Sequence, residues 1–426
     1  MTPADRTKLT KALAQHVGAI AADLRAQMLA PGPVRDRAKK LHTDEQVGDD
    51  FDVWTDLLSR RAAVLWVLKT VYVRVLEDRK LLVPPRLVDP EAQDVLFDRL
   101  APDLGDTAFL RWVFRDLASP RGGLPELFAP QPAEVAVPSN KCSEALIDFW
   151  RNKEADTGFQ WSFENEEFAG ELMGDLYQEL DPVVKERYAL CQTPDFVRDF
   201  MLGQTLTPAL AELGGDAVRL LDPACGSGHF LLDGLRRIVA VTAAQHPDWE
   251  KRVVVEHALE RVVGIDLNDY ACALARARMV MTAAELAGVK SLAEAAQFHP
   301  HVYWADGLEQ VERDDERPAE QLELVGGGAG GKAKEVPPKA VLTRPSVRLV
   351  LRPILKKKFQ VVVGNPPYIT EKDPARKEYH REKVGRRRRY LSAHKENSLA
   401  APFIERCLQL AEKDGWIGRA SCRERV

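Results

Sequence analysis

"LLDPACGSGHF", Leu220 to Phe230, puts an acid at the end of a short apolar run and follows it with two glycines before a helical pattern begins. In a sheet covered by helices on both faces, ligands sit at the carboxyl ends of the strands, where glycine lets the backbone approach a bound molecule closely. The loop carries no lysine, which sets it apart from phosphate-gripping loops. A tight strand-to-helix turn would explain the glycines alone, so the reading depends on the residues around it.

Outward from this stretch, short apolar runs alternate with helical patterns. "AVRLLD" is followed by a helix from Ser227 through Ala244, "RVVGID" by a helix from Tyr270 through Leu286, and then come "HVYWAD" and "FQVVVG". Continuously apolar strands separated by helices are the signature of a parallel sheet covered on both faces, so the fold class is α/β. Each run ends in a polar residue: Asp222, Asp266, Asp306, and Asn365 after the fourth. A carboxylate at the end of the second strand can accept both hydroxyls of a ribose, which points to a nucleoside-like ligand. The charged, glycine-rich stretch "DDERPAEQLELVGGGAGGKAKEVPPK" interrupts the pattern at about residues 311–345 and reads as a flexible insert.

Before about residue 180 the pattern is helical. Leu13, Val17, Ile20, Ala21, Leu24 and Met28 recur at helical spacing, and a second long helix spans "DVWTDLLSRRAAVLWVLKTVYVRVLEDRKLL" up to Pro84-Pro85. Shorter helices are expected in "EAQDVLFDRL" and "SEALIDFW". Asp78-Arg79-Lys80 resembles a fragment of a restriction nuclease, in which an acid and a lysine surround a metal; a charged helix end accounts for the same residues.

The chain has 426 residues, 45% of them hydrophobic, enough for two cores, and a net charge of −4 that excludes a uniformly basic coat but not a local basic patch. Its six cysteines form no CxxC pair and no metal-spaced cluster with histidine, so no metal is expected and a reducing, cytoplasmic setting fits. No run approaches a membrane span and no apolar signal core is present, so no membrane partner is expected.

In order, "DPACGSG", "GIDLN", "ADGL" and "NPPY" resemble the amino-group DNA methyltransferases that use S-adenosylmethionine. The resemblance implies a Rossmann-like class I methyltransferase sheet over residues 181–416, preceded by a mostly α-helical N-terminal domain over 1–180. It further implies that Asp222, Pro223, Ala224, Gly226, Gly228 and Phe230 line the methionine and sulfonium end of the cofactor. Asp266 with Leu267 would hold the ribose, and Asp306 would face the adenine. Upstream, "YALCQTPDFVRDFML" resembles the segment that caps the methionine end, with Thr193 contributing its hydroxyl and Pro194 the turn; an ordinary helix N-cap at Thr193 is equally compatible. Asn365, Pro366, Pro367 and Tyr368 would be catalytic, with Asn365 also bordering the cofactor.

The chemistry of Asn-Pro-Pro-Tyr is readable from its residues. The amino lone pair of adenine is delocalised into the ring, and two acceptors, the Asn365 side-chain oxygen and the Pro366 carbonyl, can bind its hydrogens and localise that pair. Two prolines stiffen the loop, and Tyr368 offers a face for a base that has left the duplex. After it, "EKDPARKEYHREKVGRRRRY" gathers Lys372, Arg376, Lys377, Arg381, Lys383, Arg386, Arg387, Arg388 and Arg389, a run that can neutralise the phosphates of double-stranded DNA or remain a solvated loop.

With "ENSLAAPFIERCLQLA" added, residues 160 to 416 are similar to the PglX-type adenine methyltransferases of BREX phage-defence systems. That resemblance implies site-specific methylation of adenine N6 in host DNA beside phage-exclusion partners; the same Asn-Pro-Pro-Tyr also serves cytosine N4, protein glutamine and ribosomal RNA. A fused restriction-modification enzyme and an inactive cofactor-binding module are the alternatives. Members of the family continue past this point, so the sheet is expected to be incomplete at its C-terminal end. "IGRASCRERV", Ile417 to Val426, reads as a translated sequencing adapter, a non-native tail.

Overall fold

The computed structural model describes residues 2–45, 50–119, 124–131, 133–154, 158–164, 174, 176, 178–187, 193–312, 343, 345–371, 374–384, 387–393 and 398–419. Residues 188–192 of the expected cofactor cap, most of the glycine-rich insert, Lys372, Arg386 and Cys422 lie outside them. The chain divides into two compact units: residues 1–192, 251–256 and 273–300 form one, and residues 193–250, 257–272 and 301–426 the other. The first unit is therefore larger than the expected N-terminal domain and takes in stretches from between the strands.

The first unit is helical, as its periodicity requires. Helix α1 (Pro3–Leu29) begins at Thr2, whose hydroxyl accepts the Asp5 amide while the Asp5 carboxylate accepts from the Thr2 amide and hydroxyl. All six apolar residues expected on its inner face are buried. After α2 (Pro33–Glu45), α3 (Phe51–Asp78) is buried on every side from Ala62 through Glu77. It stops at Asp78, well before Pro84, because Lys80 turns into the left-handed region at φ 58° and the Leu81 and Leu82 amides close back on the Leu76 carbonyl. Helix α4 (Asp106–Leu117), absent from the sequence reading, and α5 (Asn140–Arg151) lie against each other.

Charge is buried in this unit in closed pairs. Lys69 Nζ donates to both oxygens of Glu134 at 2.8 Å, and Arg74 meets Glu77 at 2.9 Å and Asp78 at 2.7 Å. The other Asp78 oxygen accepts the Phe163 amide at 2.8 Å. Asp78 thus closes a helix end, and among the described residues no group of His, Cys, Asp or Glu is arranged to hold a metal.

In the second unit five strands run parallel: β1 (Leu220–Asp222), β2 (Val262–Asp266), β3 (His301–Trp304), β4 (Phe359–Gly364) and β5 (Ala411–Arg419), in the order β3-β2-β1-β4-β5. The chain steps outward from β1 to β3 and then returns to the far side of β1 as β4. The two directions of winding part between β1 and β4, where open α/β sheets bind ligands. Residues Ile417–Arg419, expected to lie in a tail outside the domain, extend β5 and pair with Val362–Gly364.

Alternation along the strands sorts the two faces. On one, Leu221, Val263, Ile265 and Val362 meet Leu351 and Leu355 of α11 (Pro345–Lys356) and Cys407 and Leu410 of α13 (Ala400–Leu410). On the other, α8 (His229–Gln245) lies on β1 and β2, and α7 (Leu206–Leu213), which follows α6 (Asp195–Gln204), on β4 and β5. Gly234 permits that approach: a Cβ there would stand 2.2 Å from Leu220 Cδ2. Three further helices are α9 (Lys251–Leu259) and α10 (Asp269–Ala287), each divided between the two units, and α12 (Pro374–Arg381). Among the described residues no helix is long and apolar enough to cross a membrane.

Candidate active site

The polar residues at the strand ends come together because glycines remove the atoms that would hold their loops apart. A Cβ on Gly364, at the end of β4, would sit 2.9 Å from Asp222 Oδ1, and one on Gly307 would sit 2.1 Å from the Pro223 carbonyl oxygen. The loops after β1, β3 and β4 are thereby pressed against one another. Gly226 and Gly228 take the left-handed backbone at φ 52° and 91°, which lets the chain turn from β1 into α8 within a few residues.

Three carboxyl groups face this junction, Asp222 and Asp306 buried and Asp266 half-buried. Asp222 Oδ1 accepts the Ala224 amide at 3.0 Å. Its burial in low-dielectric surroundings pushes its pKa up to about 8, with the nearby Asp266 charge acting the same way. Asp266 accepts the Gly226 amide at 2.8 Å on one oxygen and the Asn268 amide at 2.8 Å on the other. Burial raises its pKa as well, against those backbone bonds. Asp306 is buried and accepts the Leu308 amide at 2.8 Å.

The other cofactor candidates fall around these acids. Pro223 and Phe230 are buried, Ala224 is half-buried, and Leu267 stands exposed on the edge, its carbonyl held by the Trp304 indole at 2.9 Å. Thr193 is buried, but the cap position of α6 belongs to Pro194, with no side-chain capping bond. The N-cap alternative for Thr193 is therefore not realised.

Asn365, Pro366, Pro367 and Tyr368 follow β4 directly, with Pro366 buried and the other three half-buried. The Arg419 guanidinium lies 5.5 Å from the centre of the Tyr368 ring.

The basic run divides. Arg381 is exposed, while Lys383, Arg387 and Arg388 lie on two short antiparallel segments, Lys383–Val384 with Arg387–Arg388, whose side chains are outside the described set. Arg389 turns inward instead: it is buried, donates to Glu382 at 2.7 Å, and stacks 4.0 Å from the centre of the Tyr379 ring. Its assignment to DNA contact is corrected on that ground, because a guanidinium so enclosed is not presented to a phosphate.

Sequence reasoning missed the framework beneath the loop after β3. Arg406 of α13, fully buried, reaches that loop, as do the hydroxyls of Tyr379 and Tyr390, while the loop's own Gln310 donates to Gln409 of α13 at 2.7 Å. One signal was available: Arg406 shares a helical face with Phe403, Cys407 and Leu410, and a charge on an apolar face calls for a buried partner.

Residues 260–419 match the model of the Eco57I restriction-modification methylase family. Over 96% of its length the chain is 30% identical to the adenine-specific methyltransferase PglX of Streptomyces coelicolor, and it spans 35% of that protein. Among solved structures, a DrdV–DNA complex aligns with a TM-score of 0.47 and 14% identity, covering 98% of this chain and 36% of that one. The type IIL restriction-modification enzyme MmeI in complex with DNA aligns at 0.42 and 16%, covering 89% and 49%.

Proposed function

We propose that this relative of PglX, with its Eco57I-type methylase segment, is an S-adenosylmethionine-dependent DNA methyltransferase acting on the N6 amine of adenine. The convergence of Asp222, Asp266, Asp306 and Asn365 on one strand-end junction carries the reading. Those groups fit the cofactor's chemistry. They are acceptors, the loop between Asp222 and Phe230 has no lysine or arginine for a phosphate, and a ligand bearing an ammonium, a sulfonium, ribose hydroxyls and an exocyclic amine supplies the missing donors and positive charge. Asp222 with Gly226 would hold the methionine end, Asp266 the ribose and Asp306 the adenine. When bound, the cofactor supplies an electrophilic methyl group.

The chain's own part is positioning. The Asn365 Oδ1 atom and the Pro366 carbonyl would accept the two hydrogens of the target amine and direct its lone pair, so no strong base is required. Pro366 and Pro367 restrict the loop, which lowers the cost of holding the carbonyl in place. Tyr368 would stack the extruded base. Arg381, Lys383, Arg386, Arg387 and Arg388 would contact DNA phosphates, without Arg389. A cytoplasmic setting and a part in BREX-type phage defence complete the reading, by resemblance.

The test is mass spectrometry of DNA incubated with the purified protein and S-adenosylmethionine. The expected product is N6-methyladenine, lowered at least about a hundredfold by Asn365→Ala. N4-methylcytosine as the product, or full adenine methylation by the variant, would refute the proposal. Cofactor binding without transfer would leave the chain a binding module.

A further inference from the structure

One side chain makes four bonds to the loop from Asp306 to Glu312. Arg406, 0% exposed, donates from Nε to the Gly307 carbonyl at 3.2 Å and from Nη2 to the Glu309 carbonyl at 3.0 Å. Its charge is met by Glu312, which it binds with both terminal nitrogens at 2.6 and 2.8 Å. The Tyr390 hydroxyl takes the carbonyl between them, that of Leu308.

Two of these carbonyls, those of Gly307 and Leu308, belong to the same planar peptide units whose N–H groups set Asp306. The unit that gives its Gly307 oxygen to Arg406 gives its Leu308 N–H to Asp306 Oδ1 at 2.8 Å. The next unit gives its Leu308 oxygen to Tyr390 and its Glu309 N–H to the Asp306 carbonyl at 2.9 Å. Since C=O and N–H point opposite ways across a trans peptide, fixing one end fixes the other. We infer that Arg406 is a positioning residue, which holds the Asp306 carboxylate through the Gly307–Leu308 peptide in the orientation that reads the cofactor's adenine amine.

Arginine is required by count: two carbonyls and a carboxylate take four bonds in a spread that a planar guanidinium matches and the three donors of an ammonium do not. Gly307 is required as well, since any Cβ there would strike Pro223.

The inference rests on the cofactor reading proposed above, and its test separates the two. Calorimetry would compare S-adenosylhomocysteine with S-inosylhomocysteine, in which a carbonyl replaces the amine. The wild-type chain is expected to favour the adenosyl ligand at least about tenfold. Arg406→Lys, which keeps the charge beside Glu312, should cut that preference severalfold by weakening the adenosyl ligand alone. Asp306→Asn should do the same, with no further loss in the double variant.

An unchanged preference in a folded Arg406→Lys chain would overturn the inference, as would equal weakening of both ligands. Unfolding of the lysine variant, seen by circular dichroism, would overturn it too, by making Arg406 a stability residue. A wild-type chain that binds neither ligand would instead refute the cofactor reading itself.

Discussion

The helical unit and the strand ends of the second unit balance their carboxyl groups in opposite ways. In the helical unit Glu134 faces Lys69, and Glu77 and Asp78 face Arg74. At the strand ends of the second unit, the charge of Asp266 acts on Asp222 and that of Asp306 on Asp266, and the bonds they accept come from backbone amides. The contrast separates two uses of a buried acid. Paired inside the chain, it locks a helix end or a loop; gathered with its own kind, it leaves acceptor capacity for a ligand that brings donors and positive charge.

That contrast can be broken at several points. The largest effect is expected at Arg74. Arg74→Met would strand Glu77 and Asp78 in the interior and cost about 3–5 kcal/mol in urea unfolding. A cost below about 1 kcal/mol would show that the pairs of the helical unit do not matter to its stability.

At Asp222 the sign follows from its raised pKa. The folded chain keeps a proton at Asp222 that the unfolded chain releases, so Asp222 favours folding at acid pH and that stabilisation is lost as pH rises from the usual carboxylate range to about 8. Cofactor-free protein should therefore lose stability over this window, and Asp222→Asn should flatten the loss. A variant with the wild-type slope would remove Asp222 from the account. The smallest effect is expected at the surface pair Arg25–Asp52, 3.2 Å apart, where Asp52→Asn should shift stability by less than about 1 kcal/mol.

The parallel sheet was legible because its apolar runs and terminal acids are local features. Asp222, Gly226, Asp266 and Asn365 each mark a strand end in the primary sequence. The inner face of α1 was legible for the same reason, through its 3.6-residue period.

What escaped depends on tertiary partners. Arg389 looks like the last member of a basic run, yet it turns inward onto Tyr379 and Glu382. Arg406 looks like one charge in a helix, yet it organises the loop after β3 through carbonyls that no side-chain pattern reveals. The early end of α3 was hidden too, because its closure uses backbone amides and a lysine in a left-handed turn.

The central claim is that the strand-end junction of the second unit binds S-adenosylmethionine through its acids. Calorimetry of S-adenosylmethionine with the wild-type chain and with Asp266→Ala tests it most directly. One binding site per chain is predicted, with at least about a tenfold loss of affinity in the variant while its thermal transition is retained. No binding by folded wild-type protein, or equal affinity in the two, would contradict it.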